Sequence, residues 1–494
     1  MGEKLLNALN IDKSFVGVHA LNQVNFSLSS GEIHCLAGEN GSGKSTLIKV
    51  ISGVYAPDSG EIEFNGRHYQ KMTPIEAINQ GIQVIYQDFS VFPNLTVMEN
   101  LALNSELADK RKWVNWKRIR EIAEESVKKI NFKVDLDALV GSLSVAEKQM
   151  IAISRALMFN TKLIIMDEPT TSLTKKEVHR LFEIILKLKE QGIAILFVSH
   201  KLDEVFEISE RFTILRNGEI VGTGSTKELD QKKFSYYMTG REFNPSHFIP
   251  EHIEKDALFE ARNISLEKHL RNISFELHKG EILGITGLLD SGRSELALAM
   301  FGAKQIDEGQ WYKNGEPVRL DSVRDAIGQN IGYVPEDRLS EGLFLPQSIG
   351  DNIIISEIDK LTKLFGVMDK DKKEKEIDHW MKELSVASPL ASNACQTLSG
   401  GNQQRVVLAK WLACNLDILI LNGPTVGVDI GSKHDIHAIL QNLARQGLGI
   451  IIISDDLPEV LENCSRLLVM KNGEIVANIN TSTSDEKTIY SYML

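Results

Sequence analysis

Residues 21–45, LNQVNFSLSSGEIHCLAGENGSGKS, lie without a gap over residues 270–294, LRNISFELHKGEILGITGLLDSGRS. The offset of 249 residues holds as far as Gln87, which meets Glu336. Further along it is 255, so that Leu143 meets Leu398, Asp167 meets Asn422 and His200 meets Asp455. A 494-residue chain written twice in this way is a pair of domains. Each copy, at roughly 240 residues, is large enough for a core of its own and too large for one unit of a solenoid. We place the first domain at 1–241, a short polar, Pro-containing linker at 242–256 and the second domain at 257–494.

Within each copy, short apolar runs alternate with helical stretches. EIHCLAG leads into a Gly-rich turn and a helix, and KLIIMDEP and IAILFVSH are continuous aliphatic runs. Such runs suit parallel strands buried on both faces, which predicts an α/β fold with helices flanking the sheet. GLGIIIIS is a strand of the same kind, and no apolar run approaches the ~18–20 residues that cross a bilayer. The first residues, MGEKLLNALNIDKSF, lack the apolar core and cleavage site of a signal peptide. A net charge of −12 argues against a non-specific nucleic-acid binder. Cys35, Cys395, Cys414 and Cys464 are scattered and form no CxxC pair, so free thiols in a reducing cytoplasm are expected. Any role at a membrane must then come through a partner.

GENGSGKST, residues 38–46, fits G-x-x-x-x-G-K-[ST] and follows a predicted strand, as a phosphate-binding loop requires. Gly38, Glu39, Asn40, Gly41, Ser42 and Gly43 would turn their backbone N–H groups inward around phosphate oxygens. Lys44 would reach the β- and γ-phosphates of ATP, Ser45 would ligate Mg²⁺, and Thr46 stands in the first turn of the next helix. A Gly-rich turn with an exposed Lys is the plainer reading of the loop alone. Asp167, at the end of KLIIMDEP, would hold the metal, and Glu168 would orient or activate the attacking water. Two carboxylates at a strand end are commonly no more than solvated, and they gain meaning here from the loop. His200 after IAILFVS would contact the γ-phosphate, and the Gln87 amide would meet the metal or the water. Both are ambiguous in isolation. In the second copy, LSGGNQQR opens an amphipathic helix, where Ser399, Gly400 and Gly401 make another helix-end anion site or an ordinary N-cap.

These motifs resemble those of the ABC ATPase family, and in particular the tandem ATP-binding subunits of bacterial monosaccharide importers. The likeness covers nearly the whole chain, with TLSGGNQQRVVLAKWL and YVPEDRLSEGLF as its most specific stretches. It implies two P-loop NTPase domains in tandem, each with a mainly parallel sheet, an antiparallel β portion and a helical signature subdomain. It implies ATP and Mg²⁺ as ligands, integral-membrane permease subunits as partners and, through them, an extracytoplasmic solute-binding protein. It also implies a peripheral place on the cytoplasmic face of the cell membrane. In that family each ATP lies between the phosphate loop of one domain and the Ser-Gly-Gly signature of the other, the halves pairing with each other or across a second copy. Phe15 occupies the place of the aromatic that stacks on adenine, and Asp429 that of the acidic residue in the loop sent across to the partner site.

Counted by composite site, the departures fall together. One site joins Lys44, Ser45, Gln87, Asp167, Glu168 and His200 to Ser399, Gly400, Gly401 and Asp429, with nothing missing. The other has Arg293 for Lys, Glu295 for Thr46, Asn422 and Gly423 for the acidic pair, and Asp455 for His. It also has Val145 and Ala146 where signature glycines belong, and Thr174 where Asp would end the crossing loop. A planar guanidinium is a poor substitute for an ammonium in a tight loop, and Glu295 sets negative charge at a helix start meant for phosphate. The expectation is one working site and one degenerate site in an importer of a simple sugar. The same build could serve a nucleoside, a polyol or a furanosyl signal molecule. A tandem ABC protein of translation would instead show two intact sites and a long charged linker, and a non-hydrolysing scaffold would have lost Glu168.

Overall fold

The computed structural model describes the chain apart from residues 1–3, 87–89, 109–113, 171–172, 174, 200, 243–246, 251–253, 255, 289 and 363–366, and the side chains of 104–108 and 175. It divides into two compact units, Met1–Phe243 and Asn244–Leu494. Of the segment expected as a linker, Phe248 is buried in the core of the second unit, and its amide donates to the Glu462 carbonyl oxygen at 2.8 Å. An aromatic in a polar stretch finds cover where it can, so this part is packed.

In the first unit the six-stranded sheet runs Glu219–Ser225, Arg211–Arg216, Ile33–Ala37, Ala194–Val198, Leu163–Asp167, Ile82–Ile85. All neighbours are parallel except the hairpin at the Glu219–Ser225 edge. Every residue of Ile33–Ala37 and Ala194–Val198 is buried, the signature of strands covered on both faces. A second, antiparallel sheet orders Val18–Ser29, Lys4–Phe15, Ser59–Phe64, Arg67–Tyr69. A helical group follows in Val97–Ala108, Trp116–Lys129 and Val145–Ala156. The second unit repeats the order with Glu474–Asn480, Arg466–Lys471, Ile282–Gly287, Gly449–Ile453, Ile418–Asn422, Ile331–Val334. Its antiparallel sheet runs Leu270–His278, Ala257–Leu266, Glu308–Lys313, Glu316–Val318. Gly449–Ile453 is a fully buried strand, and among the described residues no helix is long and apolar enough to cross a membrane.

The register of the parallel strands places the chemistry. Leu36 pairs with Val198, and Val198 with Asp167, so three strands end at one level. The strand order changes direction around Ile33–Ala37, which opens a crevice beyond its carboxyl end. The loop at 38–43 leaves from there.

Both cores bury a glutamate that accepts from a serine, Ser199 to Glu204 and Ser454 to Glu459, each at 2.6 Å, but their surroundings differ. In the first unit Phe182 packs edge-on against Phe197, with centroids 5.8 Å apart. At the position of Phe182 the second unit has His437, and at that of Ile208 it has Asn463. These join a buried polar network around Glu459, whose carboxylate accepts from Thr425 (2.6 Å), Ser454 (2.6 Å) and His437 (2.9 Å). Burial by itself pushes the Glu459 carboxyl up, but the His437 hydrogen bond and the Lys433 charge outweigh it and bring it from 4.5 to about 2. A depressed folded pKa means that the stabilisation is complete above pH 4.5 and drains as pH falls toward about 2. Urea midpoints of the second unit should therefore fall more steeply across that window in the wild type than in Glu459→Gln; parallel curves would contradict this account.

Candidate functional site

The phosphate-loop sequence forms a tight turn that opens a helix. Gly43 sits at φ +109°, and a Cβ there would lie 2.5 Å from the Ala20 carbonyl oxygen, so glycine is required on both counts. The helix Lys44–Ile51 that follows has no side-chain cap and no acidic residue in its first turn. Its leading N–H groups and its positive end are left available to an anion. Lys44 is buried, and its Nζ donates to the carbonyl oxygens of Gly38 (2.6 Å) and Glu39 (3.0 Å). Burial lowers its pKa, while the charges of Glu168 and Asp167 raise it. Ser42 Oγ is buried without a partner, whereas Ser45 is exposed at the helix start.

Beside this loop stand the two carboxylates. Burial and the Glu168 charge raise the Asp167 pKa, and Lys44 and Lys49 lower it. Two adjacent acids facing one buried ammonium leave a local excess of negative charge, a donor set that fits a divalent cation. Glu168 has φ +47°, in the left-handed region, with its amide donating to the Val198 carbonyl oxygen at 3.1 Å. A non-glycine residue there is strained by on the order of 1 kcal/mol. Phe15 ends the strand Lys4–Phe15, is 42% exposed, and meets Tyr55 edge-on at 5.2 Å. The Tyr55 amide donates to Lys49 of the loop helix at 2.9 Å, so an exposed ring face is held at a set place relative to the loop. Gln87, His200 and Thr174 lie outside the described residues.

The second unit repeats the backbone with different chemistry. Arg293 Nη1 donates to the Gly287 carbonyl oxygen at 2.8 Å, and Nη2 lies 3.6 Å from the Asp455 carboxylate. The loop cation thus has an anion of its own. Glu295 pairs with Lys304 at 3.6 Å. Gly423, at the position of Glu168, keeps the positive φ at +61° without a carboxylate. Here the second copy carries the residue that the backbone prefers and the first carries a carboxylate in the same left-handed turn.

The signature helices differ in the opposite sense. In Gly400–Leu412, N-cap Ser399 makes no side-chain bond to the backbone, and its Oγ accepts from Asn402 Nδ2 at 2.9 Å. In Val145–Ala156, Ser144 and Glu147 form a reciprocal capping box, with the Glu147 carboxylate 2.9 Å from the Ser144 amide. A carboxylate closes the first helix start, and an amide leaves the second open to an anion. Sequence reasoning passed over this pair, although S-x-x-E against S-x-x-N was there to be read. Asp429 caps the helix Ile430–Arg445 by accepting from the Ser432 amide at 2.8 Å, and Gly401 packs against Ser432.

A turn-and-helix anion cradle, a buried lysine and a strand-end acidic pair, set on this doubled sheet, define a P-loop ATPase. The family model described as ABC transporter matches residues 21–171 and 270–426, and the chain belongs to that family as a tandem ABC ATPase, its ATP hydrolysis coupled to transport. Over 99% of its length it is 39% identical to the ribose import ATP-binding protein of Clostridium perfringens, covering 98% of that protein. The ribose import ATP-binding protein 3 of Rubrobacter xylanophilus is also 39% identical, over 99% of this chain and 98% of its own. A nucleotide-free ATP-binding cassette of an ABC transporter aligns with 46% of this chain and 93% of its own, at 31% identity and TM-score 0.42.

The strain at Glu168 gives a direct expectation. Glu168→Gly should raise the stability of the first unit by about 1 kcal/mol, read as a higher urea midpoint. An unchanged or lower midpoint would contradict the strained geometry.

Proposed function

We propose that the chain is the energy-coupling ATPase of an importer for a simple sugar, with one competent composite site and one degenerate site. The observation that carries the reading is the opposed asymmetry of the two units. Lys44 faces Asp167 and Glu168, whereas Arg293 faces Asp455. The uncapped signature helix, however, belongs to the second unit. Intact halves therefore sit on different copies, which supports pairing of the first phosphate loop with the second signature, within one chain or across a second copy. The sugar follows from the ribose import relatives, and the permease partners and the cytoplasmic membrane face from the same likeness. Another small solute remains compatible with the same machinery.

On this reading the adenine stacks on Phe15, and the loop amides with Lys44 hold the β- and γ-phosphates in line. Ser399 and the first N–H groups of Gly400–Leu412 close on the γ-phosphate. The Glu168 carboxylate accepts the proton of the attacking water, with His200 beside the departing phosphate. Ser45, Asp167 and Gln87 would hold Mg²⁺, which supplies charge neutralisation along the phosphates when bound. Catalysis is then positioning and electrostatics, and opening of the closed halves passes motion to the permease.

Steady-state hydrolysis by the assembled transporter tests the crossed arrangement. Glu168→Gln should bind ATP and lose turnover by about 100-fold or more. Lys44→Ala and Ser399→Arg should be severe, whereas Arg293→Ala and Ser144→Arg should retain most activity. Loss with Lys44→Ala and Ser144→Arg, but not with Ser399→Arg, would mean that each unit acts alone. Uptake of labelled ribose in cells carrying the permease, abolished by Glu168→Gln, tests the solute; uptake of a different solute alone would overturn ribose.

A further inference from the structure

The second unit carries an arginine clamp, and the first copy has no arginine in the corresponding stretch of sequence. The offset between copies rises from 249 at Gln87 and Glu336 to 252 at Phe92 and Phe344. Phe92 and Phe344 are matched structurally, since each donates its amide to an asparagine (Asn100, Asn352) at 2.8 Å. The extra residues build a single π-helical turn, Arg338–Gly342, started by Asp337, whose carboxylate accepts from the Leu339 and Ser340 amides. Such wide turns recur where a backbone must place a functional side chain.

This turn aims Arg338 at the loop after Ile418–Asn422. Nη1 donates to the Val426 carbonyl oxygen at 2.5 Å and Nη2 to that of Gly427 at 3.0 Å. The same guanidinium lies against the start of the signature helix: a Cβ on Gly400 would come within 2.8 Å of Arg338 Nη2 and 2.8 Å of the Gly427 oxygen. On the other side of the helix start, Gly401 abuts Ser432 and Asp429. At the turn's far end, buried Lys410 of the signature helix donates to the Gly342 carbonyl oxygen at 2.7 Å. The first copy has Val145 at the position of Gly400, and no arginine between Gln87 and Phe92. Arginine and glycine thus occur together, in the unit whose signature is open.

We propose that Arg338 is a positioning residue for ATP hydrolysis. It locks residues 425–429 to the start of Gly400–Leu412, so that Ser399, the leading amides and Asp429 meet nucleotide as one rigid edge. Its charge also offsets the partial negative charge of the Val426 and Gly427 carbonyl oxygens. A planar fork holds both oxygens in one fixed geometry, and a point ammonium does so only in part. The proposal rests on the reading that this edge closes on ATP.

The test compares Arg338→Ala, Arg338→Lys and Glu168→Gln in the assembled transporter. Arg338→Ala should lower kcat by about 10- to 100-fold, with KM and the melting temperature little changed. Arg338→Lys should fall between, and millimolar guanidinium should raise the rate of the Ala variant but not of the wild type. A kcat within twofold of wild type overturns the proposal. So does a loss accompanied by a lower melting temperature and no rescue, which would make Arg338 general support for the fold. If the Ala variant does not fold, Arg338→Lys is judged by the same kcat, KM and melting criteria. Turnover by Glu168→Gln would bring down the site reading itself, and this proposal with it, whereas a dead Glu168→Gln beside a normal Arg338→Ala brings down the clamp alone.

Discussion

The parallel register of three buried strands is the constraint on which the site depends. Because Leu36, Val198 and Asp167 share one level, the phosphate loop and the acidic pair emerge side by side. Lys44 can then be buried at the loop mouth, bonded to the Gly38 and Glu39 carbonyl oxygens and still within the field of both acids. A buried ammonium is tolerable only with such partners. The second unit keeps the register, pairing Asn422 with Ile453, and so keeps the scaffold after its chemistry has changed.

That persistence separates fold from function within one chain. Gly423 holds the left-handed turn of Glu168 without its carboxylate, and Arg293 holds the loop with Asp455 for company. Negative charge has also moved to the first signature helix, where Glu147 caps the start that Asn402 leaves open in the second. The two units thus differ in opposite senses, the acidic pair standing beside the loop of the first and the uncapped signature helix standing in the second.

Much of this was legible in the residues. The repeat, the aliphatic strands and the loop motif follow from spacing and periodicity, because buried parallel strands and phosphate cradles tolerate few alternatives. Less legible were features that depend on where side chains meet. Arg293 and Asp455 are 162 positions apart in the chain, and only the fold brings them to 3.6 Å. The left-handed φ of Glu168 leaves no mark in a DEP triplet, although Gly423 in the other copy hints at it. Phe248 is packed although it stands in a polar, Pro-containing stretch, because local composition hides one buried aromatic.

Counting hydrolysis events per chain tests the central claim most directly. The assembled transporter, loaded with labelled ATP in the absence of Mg²⁺ and freed of excess, would be started with Mg²⁺ and a large surplus of unlabelled ATP. One competent site predicts a single labelled phosphate released promptly per chain. Prompt release of two would contradict it.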